Sequence, residues 1–426
     1  MFYRDVNVTG AERVPADRPV IFAANHGNAL ADVALIIAKM PAFPHFLAAA
    51  TWWKHASVRA LFDFGGVVPI HRLRDGGGAR RNLSAFDACN TALSAGKDLA
   101  IFPEGEMHLE PALLPLKTGA ARIALGAAAD AGISGVVIVP VGLVYESRGR
   151  FRSDAEVHFG EPIEIDDWTA AYRADRAKAV RVVTDLLADR LAEATVNHGS
   201  HDEARLLNRA AAFSLAGRAD GAVRHPFARR NVVRRALAAA LDLAGGDSSA
   251  EYRSLEAAVH EHVDDLEQLG VGGLRPGPLQ APAPRERRTL DVELGALAAP
   301  AALGLGVNAP VLAVIGLAGR RVRNEAWQAT VKGVGGTLLC PVVWSAEAGV
   351  LARRIGWRRS LTVTLSGAAC GMVALRWWEV FERRRALDAL RRLEETQPAA
   401  LARAQAGRAR VRERVAALTG EAESSP

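Results

Sequence analysis

The chain has 426 residues, half of them hydrophobic, and this length predicts two or three domains rather than a single core. Its 53 Lys and Arg residues against 47 Asp and Glu give a net charge of +6, which suits an anionic partner: a membrane surface, a nucleic acid or a phosphorylated substrate. The three cysteines lie far apart in sequence and the N-terminus lacks the apolar run of a signal peptide. We therefore expect no disulfide framework and a cytoplasmic N-terminal region.

Residues 1–165 alternate short apolar runs with helical patterns. The runs predicted as strands are RPVIFAAN, PHFLAAA, GGVVPIHR, DLAIFPEG, GVVIVPVGLVYES and AEVHFGEPIEI. Helical patterns lie between several of them, as at 79–95 and 117–131. This alternation predicts an α/β domain with a partly parallel sheet flanked by helices.

The remaining chain changes character several times. Residues 166–275 repeat Ala, Leu, Arg and Asp at helical spacing and predict a helical region. The Gly- and Pro-rich residues 276–288 predict a linker. Residues 289–378 carry short apolar segments, and residues 379–426 predict a charged helix followed by a tail.

The apolar segments of residues 289–378 are interrupted by prolines and flanked by arginines. The first, Leu294 to Gly319, has no charged residue and is long enough to cross a bilayer core, which takes about 20 residues. Pro300 and Pro310 interrupt it, two shorter apolar runs follow, and arginine clusters flank all three. We therefore expect membrane-associated, broken hairpins that return to one basic face. The alternative is a buried helical core rich in Ala and Gly.

The stretch ANHGNALADVALI places His26 six residues before Asp32, just after the first predicted strand. On a single helix this separation turns the two side chains about 600° apart, so they would not share a face. Asn28 is a suitable N-cap, so we expect His26 in the preceding loop and Asp32 in the first turns of a helix. Asp32 can then accept a hydrogen bond from one imidazole nitrogen and leave the other as a base. The alternative is two ordinary polar residues at a helix start.

Three further strands carry candidate binding groups. Arg72 ends GGVVPIHR and can grip a phosphate, unless it is a solvated surface arginine. Glu104 and Gly105 form a turn at a strand end, where α/β sheets place functional groups; a turn carboxylate that caps nearby amides is the alternative. Lys117 precedes a helix N-terminus, which suits an anion. Pro140 lies in the buried run VVIVPVG, where a proline indicates an edge strand or a strand end.

The order of these blocks, NH…D, then G…R, then FPEG, then VPVG, resembles that of the glycerolipid acyltransferases. This superfamily includes the 1-acylglycerol-3-phosphate and the glycerol-3-phosphate acyltransferases. The combination is specific, although no single block is, and it lies within about the first 145 residues. The chain is similar in particular to the branch with the longer His-to-Asp spacing. Glu106 stands where the family commonly has Thr after FPEG.

The resemblance implies a role for each matched residue. His26 would be the catalytic general base, and Asp32 would orient it and stabilise its charged form. Arg72 and the FPEG residues Glu104 and Gly105 would bind the glycerol-phosphate acceptor, and Pro140 would bind the acyl donor or shape the site. The residues assigned to substrate binding are Asn28, Arg72, Glu104, Gly105, Lys117 and Pro140.

The activity implied is transfer of a fatty acyl group from acyl-CoA or acyl carrier protein to a hydroxyl of a glycerol phosphate in phospholipid synthesis. The expected acceptor is 1-acyl-sn-glycerol 3-phosphate, with glycerol 3-phosphate or another lysophospholipid as the alternative. We expect no metal and no cofactor beyond the thioester co-substrate. The expected partners include a membrane lipid surface, and the expected location is the cytoplasmic face of a membrane.

Two other functions are compatible with parts of the sequence. The same dyad could deliver water to an ester, although no G-x-S-x-G elbow supports a serine hydrolase. A membrane-surface binding or scaffold protein would explain the basic, Trp-flanked tail alone. The arginines flank apolar runs rather than forming a stripe, which argues against a nucleic-acid partner.

The remaining histidines are interpreted as structural. A second Asn-His-Gly triplet at 197–199 follows a helical pattern, with Gly199 as a plausible C-cap, and no strand precedes it. His260 and His262 are two residues apart on a predicted helix and do not share a face, which argues against a metal site.

Overall fold

The computed structural model describes residues 2–40, 43–54, 56–71, 83–216, 226–270, 279 and 284–420. These residues form two compact units. The first unit contains the chain up to Ser200 together with Glu325–Ala329, and the second contains the rest.

The first unit is built on an eight-stranded sheet. Its strands are β1 (Val6–Thr9), β2 (Val20–Ala24), β3 (His45–Ala49), β4 (Val68–Ile70), β5 (Leu99–Ile101), β6 (Val137–Tyr145), β7 (Ala155–Phe159) and β8 (Ile163–Glu164). The order across the sheet is β1-β7-β6-β2-β5-β3-β4, with β8 paired to β6. Strands β2 to β6 run parallel, whereas β7 and β8 run antiparallel to β6. The predicted α/β fold with a partly parallel sheet is therefore confirmed.

Helices cover both faces of this sheet. The helices of this unit are α1 (Ala29–Lys39), α2 (Ala56–Phe64), α3 (Leu83–Ser94), α4 (Gly119–Ala129), α5 (Thr169–Ala174) and α6 (Arg176–Ala194). Every residue of β2 is buried because alternate side chains face opposite layers. Ile21 packs with α3, α4 and α6 on one face, and Phe22 packs with α1 on the other.

Pro140 lies inside a central strand, so the prediction that it marks an edge or a strand end is wrong. It pairs with Ala23 of β2 on one side of β6. On the other side, β8 pairs with residues 137–138 and β7 with residues 141–145, which leaves a gap at Pro140. The Gly160 amide donates to the Pro140 carbonyl at 2.8 Å, so the missing N–H of the proline also faces this gap. No ladder hydrogen bond is lost there.

The first unit extends beyond residue 165 because α5 and α6 pack on the sheet. Tyr172 of α5 and Val183 and Leu187 of α6 are buried in the same core as Ile21 and Ile138. The division of the chain into domains at 165 and beyond stays a prediction.

The second unit is helical in every element that the structure describes. Its helices are α7 (His201–Leu215), α8 (Pro226–Leu243), α9 (Ala250–Gln268), α10 (Pro284–Arg321), α11 (Glu325–Ile355), α12 (Trp357–Thr396) and α13 (Pro398–Thr419). Leu207, Leu237, Leu255 and Val411 form part of its core.

The apolar segments are helical as expected, but they are not broken at their prolines. Pro300 and Pro310 lie inside α10. The glycines of the α10–α12 pair let the two helices approach closely, since a Cβ on Gly304 would lie 2.3 Å from the Cys370 carbonyl oxygen. Tertiary packing supplies most of the stability of a helix in a protein, so a helix can continue through a proline that removes one hydrogen bond. By length and composition alone, α10 from Arg285 onwards and α11 are long and apolar enough to cross a membrane.

Candidate active site

The carboxyl ends of β2, β5 and β6 meet at one edge of the sheet, because these strands are parallel neighbours. His26 follows β2, Phe102 and Glu104 follow β5, and Tyr145 is the last residue of β6. In an open α/β sheet this edge is where ligands bind.

His26 and Asp32 are in direct contact at this edge. The Nδ1 atom of His26 lies 2.9 Å from Oδ2 of Asp32. His26 precedes α1 and Asp32 lies in the first turn of that helix, which is the arrangement that the six-residue spacing requires. The backbone turns sharply between them, since Ala29 has a φ of 44°.

The Asp32 carboxylate is fully buried and accepts several hydrogen bonds. The amides of Gly27 and Asn28 donate to Oδ2 at 3.0 and 2.8 Å, and the Tyr145 hydroxyl donates to Oδ1. These donors compensate for the loss of water around the carboxylate. Burial, followed by the charge of Asp32, raises the pKa of Tyr145, so its hydroxyl remains a donor.

Asn28 occupies the N-cap position, but its side chain does not cap the helix. Its Nδ2 atom donates to the Tyr3 hydroxyl and lies 3.3 Å from the Arg148 carbonyl oxygen. The Asp32 carboxylate binds the free amides instead. Asn28 is fully buried, and its Oδ1 has no hydrogen-bond partner in the described part of the chain. Its substrate contact stays a prediction.

The His26 ring is fixed in orientation and still reaches solvent. It stacks on Phe102 with 4.0 Å between ring centroids and 16° between planes, and 20% of its side chain is exposed. Because Nδ1 donates to Asp32, the lone pair lies on Nε2. No residue in the described ranges is hydrogen-bonded to Nε2. The arrangement presents one imidazole nitrogen as a base.

Glu104 is turned into the protein and ties three segments together. Its Oε1 accepts from the His26 amide at 2.9 Å, and its Oε2 accepts from the Leu114 amide at 2.8 Å and from Nε2 of His108. Only 1% of Glu104 is exposed. This geometry corresponds to the alternative of a carboxylate that caps nearby amides, and it positions the His26 backbone.

The other predicted binding residues differ in where they lie. Gly105 has a φ of 74°, and a Cβ there would lie 3.1 Å from Cγ of the exposed Lys117. These two residues are therefore brought together beside Glu104. Pro140 is buried five residues before the end of β6, away from this edge. Arg72 lies outside the described residues, and the roles of all four stay predictions.

Four residues of the site were not predicted from the sequence. Tyr3 precedes β1, a short polar strand that the pattern did not predict, and it reaches this edge because β1 runs antiparallel to β6. Tyr145 and Arg148 lie at and beyond the end of β6, where the fourth block had already ended. The sequence pattern indicated only that Phe102 ends a strand, and not that it stacks on His26. Aromatic residues at strand ends would have been the signal.

The triplet at 197–199 supports the loop behind Glu104. The Asn197 side chain accepts from the Leu113 amide at 3.2 Å, and the His198 amide donates to the Pro111 carbonyl at 3.2 Å. His198 is buried. This second histidine therefore has a structural position away from the His26–Asp32 pair.

The N-terminal part of the chain matches a known protein family. Residues 5–144 match the family model described as Acyltransferase. Glycerol-3-phosphate O-acyltransferase 2 of Saccharomyces cerevisiae is 38% identical over 120 residues, which is 28% of this chain and 16% of that protein. Glycerol-3-phosphate O-acyltransferase 1 of the same yeast is 38% identical over 107 residues, 24% of this chain and 14% of that protein.

Two further proteins are similar to parts of this chain. An uncharacterised acyltransferase of Schizosaccharomyces pombe is 38% identical over 113 residues, 26% of this chain and 17% of its own length. The chain thus spans less than a fifth of each of these three relatives. The crystal structure of the 1-acyl-sn-glycerophosphate (LPA) acyltransferase PlsC from Thermotoga maritima is 23% identical, with a TM-score of 0.33 over 45% of this chain and 74% of that chain.

Proposed function

We propose that this chain is a glycerolipid acyltransferase that transfers a fatty acyl group from a thioester to a hydroxyl of a glycerol phosphate, because residues 5–144 match the Acyltransferase family model and two of the similar yeast proteins are named as glycerol-3-phosphate O-acyltransferases. The observation that carries this proposal is the contact between His26 and Asp32. It leaves the Nε2 lone pair of His26 available at the edge of the sheet where ligands bind.

The chemistry requires a base but no covalent nucleophile on the protein. An acyl thioester is already activated, whereas the hydroxyl of the acceptor must lose its proton as it attacks. Nε2 of His26 accepts that proton while the hydroxyl oxygen forms a bond to the thioester carbonyl carbon. The carbon–sulfur bond then breaks, and the imidazolium returns the proton to the leaving thiolate. Asp32 stabilises the imidazolium between these two steps.

Placement of the acceptor is the other contribution to the rate. The buried carboxylate of Glu104 fixes the His26 backbone and the turn that precedes Lys117. Lys117 and Arg72 are the cations that we propose for the acceptor phosphate. Gly105 allows the turn, and we propose that Asn28 and Pro140 shape the acceptor and donor sites.

Glycerol 3-phosphate is the acceptor that we place first. Two of the relatives are named as glycerol-3-phosphate O-acyltransferases, and their similarity to this chain is 38% in the matched region. The 1-acyl form, which the sequence favoured, is the second candidate, and another lysophospholipid is the third. Acyl-CoA and acyl carrier protein are both suitable donors, because the proposed mechanism requires only a thioester.

We propose that the chain works at the cytoplasmic face of a membrane. Helices α10 and α11 are apolar enough to enter a bilayer, and arginines such as Arg320, Arg321, Arg353 and Arg354 stand at their ends. Lipid acceptors and products partition into such a membrane. Arginines at the membrane–water boundary are attracted by anionic lipid headgroups.

The test is a product assay with the purified full-length protein in detergent. Acyl-CoA and acyl carrier protein thioesters are each offered with glycerol 3-phosphate, with its 1-acyl form and with other lysophospholipids. The wild-type protein should form the acylated product of at least one glycerol phosphate. His26→Ala should lower kcat by a factor of about 10² to 10⁴, because it removes the general base.

The matched control is His260→Ala, which replaces an exposed histidine of α9 and should leave kcat unchanged. Full turnover in the His26→Ala protein would refute His26 as the base. Release of free fatty acid without an acylated acceptor would identify a hydrolase instead. Vesicle binding without any product in the wild-type protein would favour the scaffold function.

A further inference from the structure

Arg148 lies in the loop after β6, and its backbone is fixed at the edge of the sheet that carries His26. Its carbonyl oxygen accepts from the Tyr3 hydroxyl at 3.0 Å and from Nδ2 of Asn28 at 3.3 Å. Tyr3 and Asn28 are both buried. The anchor is therefore made through the backbone of Arg148 and does not use its guanidinium.

The guanidinium of Arg148 lies directly over the loop that carries His26. A Cβ on Gly27 would lie 3.3 Å from its Nε and 3.4 Å from its Nη2, so the absence of a side chain at Gly27 makes room for it. Its Nη1 is 3.5 Å from the Leu109 carbonyl oxygen. The loops around His26 and His108 meet here, since the His108 amide donates to the His26 carbonyl at 3.2 Å. The guanidinium thus lies against both of these loops, beside Gly27, the residue that follows His26.

The charge of Arg148 has no carboxylate partner within the part of the chain that the structure describes. Among the described residues its side chain makes one hydrogen bond, the long contact to the Leu109 carbonyl oxygen, although a guanidinium has five N–H donors. Its neighbours differ: Arg150 pairs with Glu146 at 3.1 Å, and Arg4 pairs with Asp154. A half-buried cation with unused donors, next to the proposed base, suits an anionic ligand.

We infer that Arg148 also binds the phosphate of the acyl acceptor, in addition to the Lys117 and Arg72 proposed above, an inference that rests on the proposed function. The hydroxyl and the phosphate of a glycerol phosphate are joined by the glycerol carbons alone. An acceptor whose hydroxyl approaches Nε2 of His26 therefore carries its phosphate close to the same loop. The planar fork of a guanidinium matches two phosphate oxygens, which orients the acceptor as well as binding it.

The experiment measures steady-state kinetics with whichever glycerol phosphate the wild-type protein acylates. Arg148→Ala should raise the KM for that acceptor by about 10- to 100-fold, the range expected for hydrogen bonds to a charged group. The KM for acyl-CoA and the midpoint of thermal unfolding should not change. Arg148→Lys keeps the charge but not the fork, and its KM should be intermediate. It also preserves the test if the alanine variant does not fold.

The matched control is Arg150→Ala, which removes the same charge two residues away and should leave both KM values unchanged. An unchanged acceptor KM in both Arg148 variants would overturn the inference while leaving the proposed function intact. A fall in kcat at constant KM would also overturn it, because it would mean that Arg148 acts on Asp32 rather than on the acceptor. A wild-type protein that acylates no glycerol phosphate would overturn both proposals.

Discussion

Asp32 is the residue on which the geometry of the candidate site depends. Its carboxylate accepts hydrogen bonds from His26, from the amides of Gly27 and Asn28, and from Tyr145. The two amides hold the loop in place, and the Tyr145 hydroxyl holds the other carboxylate oxygen. Rotation of the carboxylate would release the His26 ring, so Tyr145 is a positioning residue for the proposed base.

Replacement of Tyr145 by phenylalanine tests this positioning role. The change leaves Oδ1 of Asp32 buried without its donor, and we expect the free energy of unfolding to fall by about 1–3 kcal/mol. We also expect a lower kcat with both KM values unchanged, because the His26 ring is held less firmly. Equilibrium unfolding in urea and steady-state kinetics measure the two effects.

Tyr3→Phe is the matched control for Tyr145→Phe. Tyr3 is also a buried tyrosine, but its hydroxyl contacts Asn28 and the Arg148 carbonyl rather than Asp32. It should lose stability without the fall in kcat. Equal losses of kcat in the two variants would mean that packing, and not the contact to Asp32, determines the rate.

At the scale of elements, the central parallel strands could be predicted from the sequence. The short strand β1 and the antiparallel pairing of β7 with β6 could not. Strands β2, β5 and β6 are buried apolar runs bounded by turn residues, which makes them recognisable in the sequence. The short strand β1 has the polar sequence VNVT and gave no such signal. The reversal of β7 against β6 depends on pairing between distant residues. Because β1 pairs in parallel with β7, this reversal places Tyr3, which precedes β1, at the edge of the sheet that carries His26. The sequence pattern did not predict this position.

Helix α9 carries a histidine whose burial makes the second unit sensitive to acid. His262 is fully buried, and both of its ring nitrogens lack a hydrogen-bond partner among the described residues. Burial, followed by the charges of Arg408 and Arg410, lowers the pKa of His262 to about 4. Asp265 also lies close by, across Gly407. The folded state therefore keeps this imidazole neutral at pH values where a free histidine is charged.

The consequence is a loss of stability at acidic pH. The unfolded chain binds a proton at His262 below about pH 6.5, and the folded chain does so only near pH 4. Between these values the free energy of unfolding should fall as the pH falls, by up to about 1.4 kcal/mol for each pH unit. His262→Leu should reduce this slope, whereas the exposed His260→Leu on the same helix should not. Urea unfolding followed by circular dichroism at several pH values checks this, and equal slopes in both variants would contradict it.

At the scale of the whole molecule, the sequence located the site better than it described the tail. The blocks around His26 and Glu104 could be found because strand ends and turn residues mark them. The sequence left open whether Glu104 binds a ligand or caps amides, because the amides that turn it inward come from other loops. In the tail, the prolines predicted that the helices would be broken. Helix α10 nevertheless continues through Pro300 and Pro310, and it packs closely on α12. In such cases tertiary packing, rather than the helix propensity of individual residues, determines whether a helix continues.

The exposed apolar side chains of α11 give the membrane proposal a direct test. Leu338 and Val342 are 69% and 64% exposed in the middle of this helix. A charged residue in the centre of a bilayer costs about 2.5–3.5 kcal/mol, so Leu338→Glu combined with Val342→Glu should lower vesicle binding at least tenfold. Flotation with vesicles that contain anionic lipids measures the bound fraction. The control is Leu243→Glu at the end of α8, where a leucine that is 91% exposed lies outside the apolar helices. His26→Ala should float like the wild-type protein, because the base is not part of this surface. Undiminished flotation of the double variant would show that α11 does not enter the bilayer.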